Sequence, residues 1–418
     1  MKKTLILAAV AAIALSACSK NDIIETINKV PEEVAIGFSN YTPTSLTKAG
    51  DTYVNTTTLV NGKHFGVYAW QTAYNTFLDV NPGTPNFMNP VDVTWNGDTT
   101  DGDGNTYEAV RYWPSGDEPQ NLSFTAYYPY GGAGIGTPSF PTSPDPNKGG
   151  VGTYTFTAQS TPATMVDFCV ADVVNDQVYG NTNAGSSYKN TVKFTFKHQL
   201  TKVQFKFKTI EGLASTTVIE LVDADLTGIQ NAGTLTATFA QAAAPQAVNK
   251  LGTTTTEWSN VSGAASYEIT VYDGVIDNSN AFNPNNVKDP EDTDGKRVKL
   301  TSTPTTVDTT SIFLMVPQDM AADVQKLVVK WRVKVYDTAA HATANDGTGL
   351  LSETLNTKTL SLYSDLKASD TSETAAAAIN WAKNNFITYT ITIGPKPIWF
   401  TATVDDWGSE QNGYMNVN

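Results

Sequence analysis

Three histidines, two cysteines and three arginines are the scarce reactive side chains of this 418-residue chain. His64, His198 and His341 lie far apart, and none has a second His or a Cys at metal-ligand spacing. His198 falls between Phe196 and Leu200 on the apolar parity of a strand, the place of a hydrogen-bonded core histidine. Cys169 sits in the apolar run Val166 to Ala171. A reactive thiolate needs a cationic, partly exposed setting, so Cys169 reads as a small buried hydrophobe. No Gly-x-Ser-x-Gly elbow, phosphate loop or dinucleotide fingerprint occurs. Carboxylates are plentiful, but nothing singles out a glycosidase pair, and Asp405-Asp406 beside Trp407 reads as an exposed turn. Asp101, Asp103 and Asn105 begin like a calcium loop. Thr106 then stands where that loop requires glycine, and Tyr112 where it requires a bidentate glutamate. The expectation is a non-enzyme with no catalytic residue, no metal ligands and no cofactor.

Two surface features invite binding. Lys326, Lys330, Arg332 and Lys334 share one face of a strand; they suit an acidic partner or, more simply, acids on neighbouring strands. Trp95, Trp113 and Trp399 suit a sugar platform or, more commonly for strand tryptophans, core packing. The formal net charge of −14 argues against a nucleic-acid binder, which needs a basic footprint. Charged residues make up 16% of the chain, below the roughly 25% of ordinary soluble domains, while hydrophobic residues make up 40%. The chain can therefore build cores, and disorder is not expected.

The N-terminus sets the compartment. Lys2 and Lys3 precede an apolar run from Leu5 to Leu15, too short to span a bilayer but suited to a signal peptide. Leu15-Ser16-Ala17-Cys18 follows and resembles a bacterial lipobox. That resemblance implies cleavage between Ala17 and Cys18 and lipidation of Cys18, and several acyl chains hold a protein stably on a membrane.

The elements that must position these residues are strands. Val34 to Phe38, Phe65 to Trp70, Val91 to Trp95 and Leu122 to Tyr128 read as strands, with a turn-rich hairpin tip after Trp95. Val192, Phe194, Phe196, His198 and Leu200 share one parity, and Val203, Phe205 and Phe207 share the other. That change predicts a turn or bulge near Leu200–Lys202. Further alternation marks Tyr267 to Val271, Leu327 to Val335, Ile387 to Ile393 and Ile398 to Val404. Thr371 to Lys383 is the one good helix candidate, with Ser369 or Ser372 as its cap. Many short alternating strands joined by polar loops predict an all-β chain of antiparallel β-sandwiches. The expected division is a signal peptide at 1–17, a lipidated tether at 18–31, and sandwich domains at 32–190 and 191–418.

Several segments together resemble the fimbrillin family, pilin-like lipoproteins of Bacteroides-type bacteria. They are Ile36-Gly37-Phe38, a polar loop ending Thr47-Lys48-Ala49, Phe65 to Ala69, and Met88 to Trp95 leading to Val110-Arg111-Tyr112-Trp113-Pro114. Leu122 to Pro129, Phe194 to Val203, Phe313 to Gln318 and Tyr389 to Trp407 follow in the family's order. The resemblance implies two transthyretin-like β-sandwich domains in series. It also implies assembly by strand donation: the loop after the first strand is cut, that strand leaves, and a strand from another subunit fills the groove. An open sheet edge has unpaired N–H and C=O groups that such a strand satisfies. Here the leaving strand would be Val34 to Phe38 and the donor would come from Ile398 to Asn418. The family's known maturation protease is arginine-specific, yet no arginine precedes Arg111, and Lys48-Ala49 occupies the corresponding loop, so either a trypsin-like enzyme cuts between Lys48 and Ala49 or the chain is not cleaved and serves as an anchor or accessory subunit. The expected partners are other fimbrial subunits, outer-membrane lipid through Cys18, and a host or bacterial surface ligand. The alternative is a surface lipoprotein that binds a glycan or host ligand without polymerising.

Overall fold

The computed structural model describes residues 34–40, 63–73, 83–96, 105–114, 120–142, 150–179, 191–240, 250–269, 298–306, 312–369, 378–395 and 398–406. The chain is all-β, with six sheets among these residues and short helices at Ala339–Ala344 and Ser364–Ser369. The largest sheet runs in the order Phe196–His198, Cys169–Ala171, Gln120–Tyr128, Lys63–Ala73, Met88–Trp95, Thr106–Tyr107. Val174–Gln177 also pairs with Gln120–Tyr128, and Lys250–Leu251 pairs with Val174–Gln177.

Both faces of this sheet are buried. Phe65, Val67 and Ala69 point into one apolar cluster with Ile36, Phe38, Phe124, Val192 and Phe194. Tyr68 and Trp70, of opposite parity, point into a second cluster. A strand buried on both sides reads as an unbroken apolar run, which is how Phe65 to Trp70 reads. The second cluster takes Tyr154, Phe156, Leu235 and Phe239 from a three-stranded sheet formed by Val151–Thr157, Ala232–Ala240 and Thr253–Ser262. It continues without a break into the second half of the chain. There Val203, Phe205 and Phe207 of Thr201–Thr209 and Ile387, Tyr389 and Ile391 of Asn385–Ile393 join Ile219 and Leu221 of Thr217–Ile229 and Leu327, Val329 and Trp331 of Lys326–Tyr336. Phe205 and Tyr389 stack with ring centres 5.2 Å apart.

The parity change near Leu200 is real, and its cause is a change of sheet. Phe196–His198 closes the large sheet and Thr201–Thr209 opens the next, so the following side chains face a new partner layer. Two pairings are parallel where antiparallel ones were expected. Gly37–Asn40 runs parallel to Thr191–Phe194, and Thr201–Thr209 runs parallel to Asn385–Ile393. In both, the partners are separated by a long stretch of chain, which is the kind of connection a parallel pair requires.

Pairing also crosses the expected division at residue 190. Thr191–Phe194 pairs with Gly37–Asn40, Phe196–His198 with Cys169–Ala171, Ala232–Ala240 with Val151–Thr157, and Lys250–Leu251 with Val174–Gln177. Residues 371–377 of the expected helix lie outside the described residues. Of the rest, Ala378 is helical, and Asn380–Trp381 is a short strand paired with Gln318–Asp319. Trp381 is fully buried there and its indole N–H donates to the Tyr389 hydroxyl at 2.8 Å.

The basic strand face finds its acids. Lys330 Nζ lies 3.0 Å from Asp223, Arg332 pairs with Glu353, and Lys334 Nζ lies 3.0 Å from Glu220 with both side chains buried. Trp95 and Trp113 are core residues, which removes them from any exposed aromatic platform.

Candidate functional site

The first described segment, 34–40, occupies a seat built from three parts of the chain. Its start pairs antiparallel with 111–113: the Ile36 N–H donates to the Arg111 carbonyl and the Trp113 N–H to the Val34 carbonyl, both at 2.9 Å. Its end runs parallel to Thr191–Phe194, with Phe38 opposite Val192. Side chains complete the cradle. The Tyr107 hydroxyl donates to the Ile36 carbonyl at 2.8 Å, and the Asn105 amide donates to the Phe38 carbonyl.

Alternation sends Ile36 and Phe38 to the same side, and each retains 1% of its exposure. Phe38 stacks on Phe194 at 5.9 Å and meets Tyr107 at 5.3 Å and the edge of Phe124 at 6.1 Å. Burying two such side chains is worth about 1.5–3 kcal/mol each. Burial also pushes the Tyr107 phenol above its ordinary range. This short strand is therefore an apolar plug, inserted by two side chains and tied along its backbone to separate segments.

Ala17, Cys18, Lys48 and Ala49 lie outside the described residues. Arg111 is exposed as a side chain, but its backbone carbonyl holds Ile36. Of the expected donor region, Ile398–Asp406 is paired in register with Asn385–Ile393 at the edge of its own sheet; residues 407–418 lie outside the described residues.

A second constellation is one that sequence spacing did not reveal. Cys169 and His198 are direct cross-strand partners, and Tyr128 is the partner of Cys169 on its other side. Residues opposite one another in register share a face, so the three side chains lie in a row. Asp167 reaches in from the segment preceding Cys169. Its two carboxylate oxygens lie 3.0 and 2.8 Å from His198 Nδ1, the Cys169 thiol is 3.4 Å from the carboxylate, and Sγ is 3.7 Å from Nδ1. Cys169 and His198 are buried, as their sequence context predicts. Burial, followed by the charge of Asp167 and its hydrogen bond, pushes the Cys169 thiol well above its ordinary range. Burial, followed by the nearby Asp167 and Cys169, pushes the Tyr128 phenol up to about 12. This is not the arrangement of a thiol protease: Asp167 and Cys169 address the same imidazole nitrogen, so the carboxylate cannot orient the ring from its far side.

The chain belongs to the fimbrillin-like family, whose profile matches residues 47–407. Among solved structures, it is similar to a fimbrial protein from Bacteroides vulgatus at 19% identity, with a TM-score of 0.57, covering 89% of this chain and 99% of that one. It also matches a candidate cell adhesion protein from Bacteroides uniformis at 15% identity and a TM-score of 0.41, covering 90% of this chain and 98% of that one. A search of curated protein sequences found no match. No helix among the described residues is long and apolar enough to cross a membrane.

Proposed function

We propose that this protein is a fimbrial subunit or fimbria-associated surface lipoprotein that assembles by strand replacement at the seat of residues 34–40. The observation that carries this reading is the seat itself. Removing 34–40 would uncover the pockets of Ile36 and Phe38, leave one edge of Thr191–Phe194 unpaired, and free the Arg111 carbonyl and the Trp113 N–H. An extended segment with apolar residues at alternate positions restores all of these at once. Signal cleavage between Ala17 and Cys18 and lipidation of Cys18 deliver the precursor to the outer membrane. A trypsin-like cut between Lys48 and Ala49 then releases the first strand. Because Ile398–Asp406 is committed to its own sheet, the donated strand comes from the tail 407–418. The chain changes sheets near Leu200, and the pairing of Ala232–Ala240 and Lys250–Leu251 with strands before residue 190 ties its two halves together. Family membership and the fold shared with a Bacteroides vulgatus fimbrial protein support the reading.

The test is the N-terminus and assembly state of the cell-surface protein. An N-terminus at Ala49, ladders resistant to SDS after mild heating, and loss of both in Lys48→Ala are the expected result. Polymers whose subunits still begin at Cys18 would sink the strand-replacement step.

A further inference from the structure

We propose that Asp167, Cys169 and His198 form a binding site for a single zinc-class divalent transition-metal ion. The donor atoms are one thiol, one imidazole nitrogen and one carboxylate, which is the mixed set such ions take. Their spacing is that of ligands around a common centre. Bond lengths of about 2.3 Å to sulfur and about 2.0 Å to nitrogen and oxygen at tetrahedral angles put S and N about 3.6 Å apart, S and O about 3.5 Å, and N and O about 3.3 Å. The observed separations are 3.7, 3.4 and 2.8–3.0 Å. The ion needs a shift of only a few tenths of an ångström in the carboxylate.

The scaffold is equally suited. Cys169 and His198 are fixed by in-register pairing of adjacent strands, so their spacing does not depend on a loop. Asp167, whose side chain is 13% exposed, is the ligand closest to water, so the ion and a solvent molecule as fourth ligand would enter from its side. Metal binding replaces the proton on Cys169 Sγ with a metal–sulfur bond, and that proton leaves to solvent. The charge of Asp167 and the thiolate then offset the ion's two positive charges inside the sheet. The site is separate from the seat of residues 34–40, although both belong to the N-terminal sheet layer.

The experiment uses the full chain carrying Cys18→Ala, so that Cys169 is its sole thiol, stripped with a chelator under reducing conditions. Titration with Co2+ alone is expected to bind one ion per chain. It should produce a thiolate-to-cobalt charge-transfer band in the near ultraviolet and visible bands of tetrahedral intensity, both erased by one equivalent of Zn2+. Adding Cys169→Ala should abolish the charge-transfer band. Asp167→Asn, which can still hydrogen-bond His198, should weaken binding about tenfold or more, a loss already typical when a ligand's outer support is removed. Circular dichroism of the metal-free variants separates lost binding from lost folding, and Zn2+ should raise the melting temperature of the parent but not of the Cys169→Ala form. Absence of the cobalt spectrum in a folded chain whose thiol titrates after unfolding would overturn the proposal. So would a spectrum that survives Cys169→Ala.

Discussion

At the scale of single residues, burial decides chemistry more than residue type does. Among the described residues eight tyrosines have phenols pushed up, Tyr127, Tyr128, Tyr267 and Tyr336 to about 12 and Tyr68, Tyr107, Tyr154 and Tyr389 in direction alone; in each case burial is the first cause. A phenol raised in the folded state favours folding fully below its unfolded value of about 10. Above that value the unfolded chain loses protons the folded chain keeps, so stability falls as pH rises from about 10 toward 12. Melting temperatures taken across this range should drop steeply, with the tyrosinate absorbance of these buried phenols rising in step with unfolding. Lys334 and Glu220 make a second point. The Asn345 amide also donates to the same Glu220 oxygen at 2.6 Å, and the Tyr336 hydroxyl donates to Asn345 at 2.8 Å. Lys334→Ala leaves that carboxylate buried without its cation and should cost about 3–5 kcal/mol in denaturant unfolding. A loss below about 1 kcal/mol would mean water already reaches the pair.

Among the elements, the strand 34–40 is the informative one. Its extended character was legible in the run Val34 to Phe38, whereas the parallel direction of its end was not, because direction is set by where the chain returns and not by side-chain pattern. Phe38→Ala should destabilise the chain by about 3–5 kcal/mol, read as a shift in the denaturant midpoint at unchanged slope. Amide exchange on Thr191–Phe194 should speed up in the same variant, since the loosened plug exposes that edge. The meeting of Cys169 with His198 shows the same division. Each residue was predictable as buried from its own neighbours, but their contact depends on the register between strands 29 positions apart, which no local signal encodes. Of the candidate helix Thr371 to Lys383, residues 371–377 lie outside the described residues and Ala378 is helical. Beyond it Trp381 lies fully buried in a short strand paired with Gln318–Asp319, a long-range contact that helical spacing does not encode.

The whole molecule is tied together by its largest sheet. Because Tyr68 and Trp70 on one face pack into the cluster that continues through Phe205 and Tyr389, the first half has no complete core of its own on that side. Heating should therefore give one cooperative transition. A chain ending near Gln199 should be insoluble or expose enough apolar surface to bind a hydrophobic dye, unlike the full chain. Two well-separated calorimetric peaks would contradict this coupling. The all-β class, strands such as Lys326–Tyr336 and Asn385–Ile393, and the break near Leu200 were legible from alternation; Thr217–Ile229, Ala232–Ala240, Thr253–Ser262 and Leu350–Ser361 were not read as strands. The shared core was not, because an apolar residue does not announce which sheet it faces.

The seat of residues 34–40 also distinguishes a head from a tail. Its start requires a neighbour running against 111–113 and its end a neighbour running with Thr191–Phe194, so a segment threaded backwards meets carbonyl where it needs N–H. Any strand that takes this place inherits one heading. A filament built through such joints has a built-in arrow: its subunits all point the same way, and its two ends are chemically unlike.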